Sequence, residues 1–180
     1  MKVVTVQHRS VCDKLFKEGF FKADKSFVSE NLIKPYEFAS SFFGWDNIPI
    51  FLSPVGYKVE MYGAKNGDDY LAMELDIPEE FLKFQEYYNW TDFVYYMEVP
   101  GEFKENFYGF KTVEEWGKTI LDVKLDKKLE VPYQAMVLEL KSEWITFVLD
   151  DISKLSKKHN GTGGFDKLKI LKNYIIKKEG

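Results

Sequence analysis

Three groups of residues in this 180-residue chain have types and spacings that could do chemistry. The first is Gln7-His8-Arg9, at the end of a short β-branched run from Lys2 to Gln7. It sets a neutral amide, one of the chain's two histidines and its only arginine side by side. Strand ends are where many α/β folds hold ligands. A guanidinium there can clamp a phosphate or carboxylate through two parallel bonds, and a histidine titrates near neutrality. Gln134 stands at the start of a later strand and is expected to face the same pocket as Gln7. The plainer alternative is a surface Arg9 paired with an acid and a solvated His8.

The second group is Asp122-Val123-Lys124 followed by Glu139-Leu140-Lys141. It resembles the Asp…Glu-x-Lys signature of restriction-nuclease-like enzymes. There, two carboxylates on adjacent strands hold a divalent metal and the lysine steadies the attacking water. Alternation puts Glu139 and Lys141 on one strand face. Strands over Ile120 to Leu125 and Tyr133 to Lys141, joined by a lysine-rich turn, are expected to pair as a hairpin that brings Asp122 alongside. The competing reading is chance, because Glu-x-Lys is common on solvent-facing strand edges. The third group, Arg9, Ser53 and Glu139, fits an ADP-ribosyltransferase-like arrangement. It lacks that family's paired acidic motif, since Gln134 is followed by Ala135 and Met136. The nuclease set is expected to converge more closely of the two, and neither fully.

Composition narrows the field. Hydrophobic residues make up 45% and charged residues 30%, which excludes wholesale disorder. The net charge of −4 gives no general pull toward nucleic acid or acidic membrane. Of 25 basic residues only Arg9 is an arginine, which argues against a sequence-specific nucleic-acid reader; an AT-rich coding sequence would leave the same lysine excess. The single cysteine, Cys12, excludes an internal disulfide framework and a Cys-rich zinc site. Gly161-Thr162-Gly163-Gly164 lacks the Gly-Lys-Ser/Thr of a phosphate loop, and no cofactor is expected. No apolar run approaches the roughly 20 residues of a spanning helix, so a cytoplasmic protein without a membrane segment is expected.

The elements that must position these groups follow from local signals. After the first strand, Ser10 can cap a helix ended by Gly19, and the stretch from Phe20 to Leu32 reads as irregular. Pro35 suits the first position of a helix that stops at Gly44. Strands are expected over Ile48 to Ser53, Tyr57 to Tyr62 and Tyr70 to Asp76, the last two joined by a turn at Lys65-Asn66-Gly67-Asp68-Asp69. Glu79-Glu80 begins a short helix and Asn89 can cap another through Met97. Thr112-Val113-Glu114-Glu115 is a capping box for a helix over Trp116. Trp144, Val148, Ile152 and Leu155 recur at helical spacing. A flexible loop near 159–164 then leads to a C-terminal helix. The aromatic share of 17% is high, and the cluster from Phe84 through Tyr96 reads as core, with an aromatic pocket or partner surface as the alternative.

Several segments taken in order resemble an uncharacterised bacterial family, domain of unknown function 3841. They are Thr5-Val6-Gln7 with Leu15 and Gly19, Tyr36, Pro49-Ile50-Phe51, the run from Met73 to Glu80, Glu86-Tyr87 before Trp90, Trp116, and Gln134-Ala135. This chain has Glu86 where that family has Asp, and no arginine ahead of Pro49. The resemblance implies an architecture and no mechanism. Together these observations predict one α+β domain over 1–180, a single curved and largely antiparallel sheet with packed helices. The absence of a complete catalytic motif favours a bacterial or phage protein that binds a small polar or anionic ligand, or a protein partner. Gln7, His8, Arg9 and Gln134 are its expected contacts.

Overall fold

Four consecutive β-branched residues, Val3-Val4-Thr5-Val6, are stiff at χ1 and favour extended backbone. They form the centre of β1 (Lys2–His8). The computed structural model describes residues 1–57, 69–104, 109–129 and 131–149. Within them seven further strands follow: β2 (Phe20–Lys22), β3 (Ile50–Pro54), β4 (Tyr70–Asp76), β5 (Lys83–Glu86), β6 (Tyr133–Val137), β7 (Glu139–Lys141) and β8 (Ile145–Leu149). Six of the eight make an open sheet in the order β5-β6-β3-β1-β4-β8, every described pairing antiparallel. The fold is α+β, as expected, with a second ribbon of β2 and β7 beside the main sheet.

Four α-helices are described: α1 (Arg9–Glu18), α2 (Glu30–Phe43), α3 (Tyr87–Glu98) and α4 (Val113–Ile120). Helix α1 buries Val11, Cys12 and Leu15 on one sheet face, together with Phe21 and Leu140 of the ribbon. Helices α2, α3 and α4 cover the other face through Ala39, Trp90, Phe93 and Trp116, against Met136 and Phe51. None of the described helices is long and apolar enough to cross a membrane.

Several local expectations are corrected, and the N-caps of α1 and α3 are His8 and Glu86 rather than Ser10 and Asn89. Ile120 to Leu125 is not a strand. The Thr112 hydroxyl accepts from the Glu115 N–H at 3.1 Å and starts a helix that runs to Ile120, and Asp122 then takes a left-handed φ of 57°. Trp144 to Val148 is not helical. The short 3-10 turn Ser142–Trp144 leads into β8, whose Ile-Thr-Phe-Val run pairs with the edge of β4. The stretch after Gly19 is ordered, as β2, a 3-10 turn at Lys25–Phe27 and the start of α2. Pro35 therefore sits inside α2, five residues after its first. Tyr133 to Lys141 divides at Leu138 into β6 in the main sheet and β7 in the ribbon. The expected strand at Tyr57 to Tyr62, most of the turn at 65–69, the loop at 159–164 and the C-terminal helix lie outside the described residues.

Candidate ligand-binding site

Residues of the first expected site lie where β1 passes into α1. His8 is the N-cap of α1, its Nδ1 accepting from the Ser10 N–H at 3.2 Å. With that lone pair engaged, the neutral imidazole carries its proton on Nε2, which is a donor. The ring meets Tyr70 edge to face, with centroids 5.5 Å apart. Arg9 opens α1 on the exposed surface, and its backbone N–H donates to the Asp69 carbonyl at 2.7 Å.

Gln7 and His8 line a cavity of about 400 Å³. Its walls come from the end of β1, the segment Phe21 to Val28, Tyr36 of α2 and the start of β3. Tyr36 packs on Phe51 at 4.7 Å between centroids, and Phe21 meets Phe27 at 5.2 Å. Burial, and secondarily the nearby Tyr87 hydroxyl, push the Tyr36 phenol up to about 12, so it stays protonated at neutral pH. The polar groups of this wall are held by a short relay. Gln7 Nε2 donates to Thr5 Oγ1 at 2.8 Å, and Thr5 Oγ1 donates to the Phe51 carbonyl at 3.1 Å. Thr5, Phe51, Tyr36 and Tyr70 were not among the residues expected from the sequence. An alternating Thr-x-Gln on a strand next to a Pro-Ile-Phe strand is the signal that points to the first two.

Gln134 does not join this group. Gln7 lies opposite Leu71, on the sheet face that carries Val3 and Met73. Ala135 belongs to that same face, so its neighbour Gln134 projects from the other. There Gln134 Oε1 accepts from Gln85 Nε2 at 3.2 Å. Gln85 is fully buried, and its own Oε1 has no hydrogen-bond partner among the described residues.

Nor does the structure assemble the two enzyme constellations. Asp122 pairs with Lys83 of β5 at 3.1 Å, whereas Glu139 pairs with Lys141 at 3.5 Å on the separate ribbon. The hairpin meant to bring these carboxylates together is absent, because residues 120–125 form no strand. Ser53 lies opposite Val4, roughly 15 Å along the strand from Arg9, and Glu139 is again on the ribbon. Among the described residues no group of three or more His, Cys, Asp or Glu could hold a metal ion. A second cavity of about 500 Å³ carries Asp24, Glu37 and Asp46 beside Trp45. Its carboxylates are engaged: Glu37 by Lys25, Asp46 by Lys22 at 3.4 Å, and Asp24 by Ser26.

The aromatic run on α3 divides by helix face. Trp90 and Phe93 enter the core, while Tyr88 and Tyr95 remain exposed. No family model matches the chain, and no curated protein or solved structure matches it.

Proposed function

We propose that this chain is a cytoplasmic binding protein, of bacterial or phage origin, that takes a small, partly polar molecule into the cavity at the end of β1. The observation that carries this reading is the composition of the wall. Gln7 and His8 stand among aromatic and aliphatic residues that line about 400 Å³, within the roughly 300–1,000 Å³ of small-molecule sites. Kinship with domain of unknown function 3841 belongs to the same proposal and rests on the order of the matching segments alone.

Arg9 follows His8 in sequence and lies outside the lining, on the exposed surface. Amide shifts of ¹⁵N-labelled protein during a screen of small polar and anionic metabolites test the reading. Shifts concentrated at Val6 to His8 and Ile48 to Phe51 are expected. Val28→Trp, at the half-buried wall, should abolish them. If no compound perturbs those amides, the cavity is not a binding site. The exposed rings of Phe20 and Phe81 beside Lys141 would then become the candidate partner surface.

A further inference from the structure

We propose that the ligand is a planar, uncharged nitrogen heterocycle carrying a hydrogen-bond donor beside an acceptor, as a nucleobase does, and that Gln7 reads that edge. This rests on the cavity being the binding site and adds the class of molecule it takes.

The first argument is charge. Among the described residues, none of those lining the cavity is Asp, Glu, Lys or Arg. A formal charge set against this wall would find no opposite charge on the lining to offset whatever hydration it loses. The ligand body is therefore neutral.

Shape is the second argument. Phe21, buried on the same side of the sheet as Val3 and Met73, meets Phe27 edge to face with centroids 5.2 Å apart, and both line the cavity, as does Tyr36. Flat π-faces stack on such surfaces, and stacking tolerates any base because each has the same kind of face. An aliphatic ligand would gain burial alone.

The third is the orientation of the amide. A free glutamine side chain offers two N–H donors and one carbonyl acceptor and can rotate. Here one N–H is committed to Thr5 Oγ1 at 2.8 Å, and Thr5 is itself 4% exposed and tied to the Phe51 carbonyl. With Thr5 taking the N–H that points away from Oε1, the other N–H and Oε1 lie side by side in one plane for a ligand. A donor and acceptor fixed side by side is the pattern by which carboxamides recognise adenine and other bases. Thr5 acts as a positioning residue, since it touches Gln7 and not the ligand.

The test uses the full chain and five probes. Adenine carries the edge, indole stacks but has a single donor, and benzoate stacks with a charge; adenosine and AMP distinguish sources of the base. Dissociation constants are read from shifts at Val6 to His8 and Ile50 to Phe51. Adenine should bind at least about tenfold tighter than indole, the effect of two neutral hydrogen bonds. Gln7→Leu should collapse that ratio toward one while leaving indole affinity within about twofold, and Thr5→Val should lower the ratio part of the way. A structural role alone would weaken both probes together. Adenosine binding like adenine with AMP weaker indicates a base or nucleoside; AMP binding tighter, in an Arg9-dependent way, indicates a nucleotide, and either keeps the shared edge. Equal binding of adenine and indole, an unchanged ratio in Gln7→Leu, or a preference for benzoate overturns the edge and leaves the cavity as a site. No perturbation of these amides by any probe overturns the cavity reading as well.

Discussion

Gly117 of α4 presses its backbone onto the ring of Phe93 of α3, so that a methyl group there would stand 2.9 Å from Phe93 Cζ and from Phe38 Cε1. Phe93 is fully buried and packs on Phe38, Trp90 and Trp116, so it has no empty space to move into. Gly117→Ala should destabilise the protein by about 1–3 kcal/mol through overpacking, despite the better helix propensity of alanine. Urea denaturation gives the value. An unchanged midpoint would mean that α3 and α4 separate easily.

Capping of α1 by a histidine is open to a direct measurement. Loss of the Nδ1 acceptor in His8→Ala should cost about 0.5–2 kcal/mol, whereas His8→Asp, which caps and also favours the helix dipole, should restore or exceed the original stability. Thermal unfolding of the three proteins checks the order. Should alanine match histidine, the bond to Ser10 contributes nothing in solution.

Gln85 presents the opposite case, a buried polar group that is incompletely paired. An orphaned buried acceptor costs about 1–3 kcal/mol, so replacing the whole side chain by one of similar size removes that penalty. Its partner Gln134 is half-buried and can turn to water. Gln85→Met should therefore leave stability within about 1 kcal/mol or raise it, as measured by denaturant midpoint. A loss above about 2 kcal/mol would show that the amide is fully satisfied in solution.

Alkaline pH should unfold this protein through two buried acids. Tyr36 is raised from 10.0 to about 12 by burial and the Tyr87 hydroxyl, and Cys12 from 9.0 to about 11 by burial and Asp13, opposed by Arg9. Both folded values exceed the unfolded ones, so the folded state holds protons that the unfolded chain has released. Stability is then complete below about pH 9 and falls progressively from about pH 9 to 12. Tyr36→Phe should flatten the slope between about pH 10 and 12 and leave that between about 9 and 10. The same burial should keep Cys12 unreactive toward iodoacetamide until the protein unfolds.

Many elements with local signals were legible in the sequence, though α1, α2 and α3 do not start at Ser10, Pro35 and Asn89 as read, and elements set by pairing were not legible. The Thr112 cap, the Gly19 and Gly44 helix ends and the strands of Val3 to Val6 and Tyr70 to Asp76 need only neighbouring residues to be read. By contrast, Trp144 and Val148 satisfy a helical spacing and also enter the core from a 3-10 turn and a strand, and only the open edge of β4 decides between them. Gln7 and Gln134 were grouped because both stand near strand ends. Whether two such residues share a face depends on register across β3, where a shift of one residue reverses the answer. The cavity was half legible: Gln7 and His8 are contiguous on β1, while Tyr36 and Phe27 arrive from segments whose approach no local pattern specifies.

The position of β1 within the sheet bears on how the chain acquires its structure during synthesis. Strand β1 is hydrogen-bonded on one side to β3 and on the other to β4, both later in the chain, with Lys2 opposite Asp76. A nascent chain therefore carries Val3 to Val6 without its β4 partner until some seventy residues have followed, and β6, which completes the neighbouring pairing of β3, arrives later still. Such distant pairings are slow to close, in the range of roughly milliseconds to seconds for sheets of this kind. During that interval an apolar β-branched segment stands available to other chains. Lys2 and the polar pair His8-Arg9 flank it as charged and polar stops against intermolecular strand pairing.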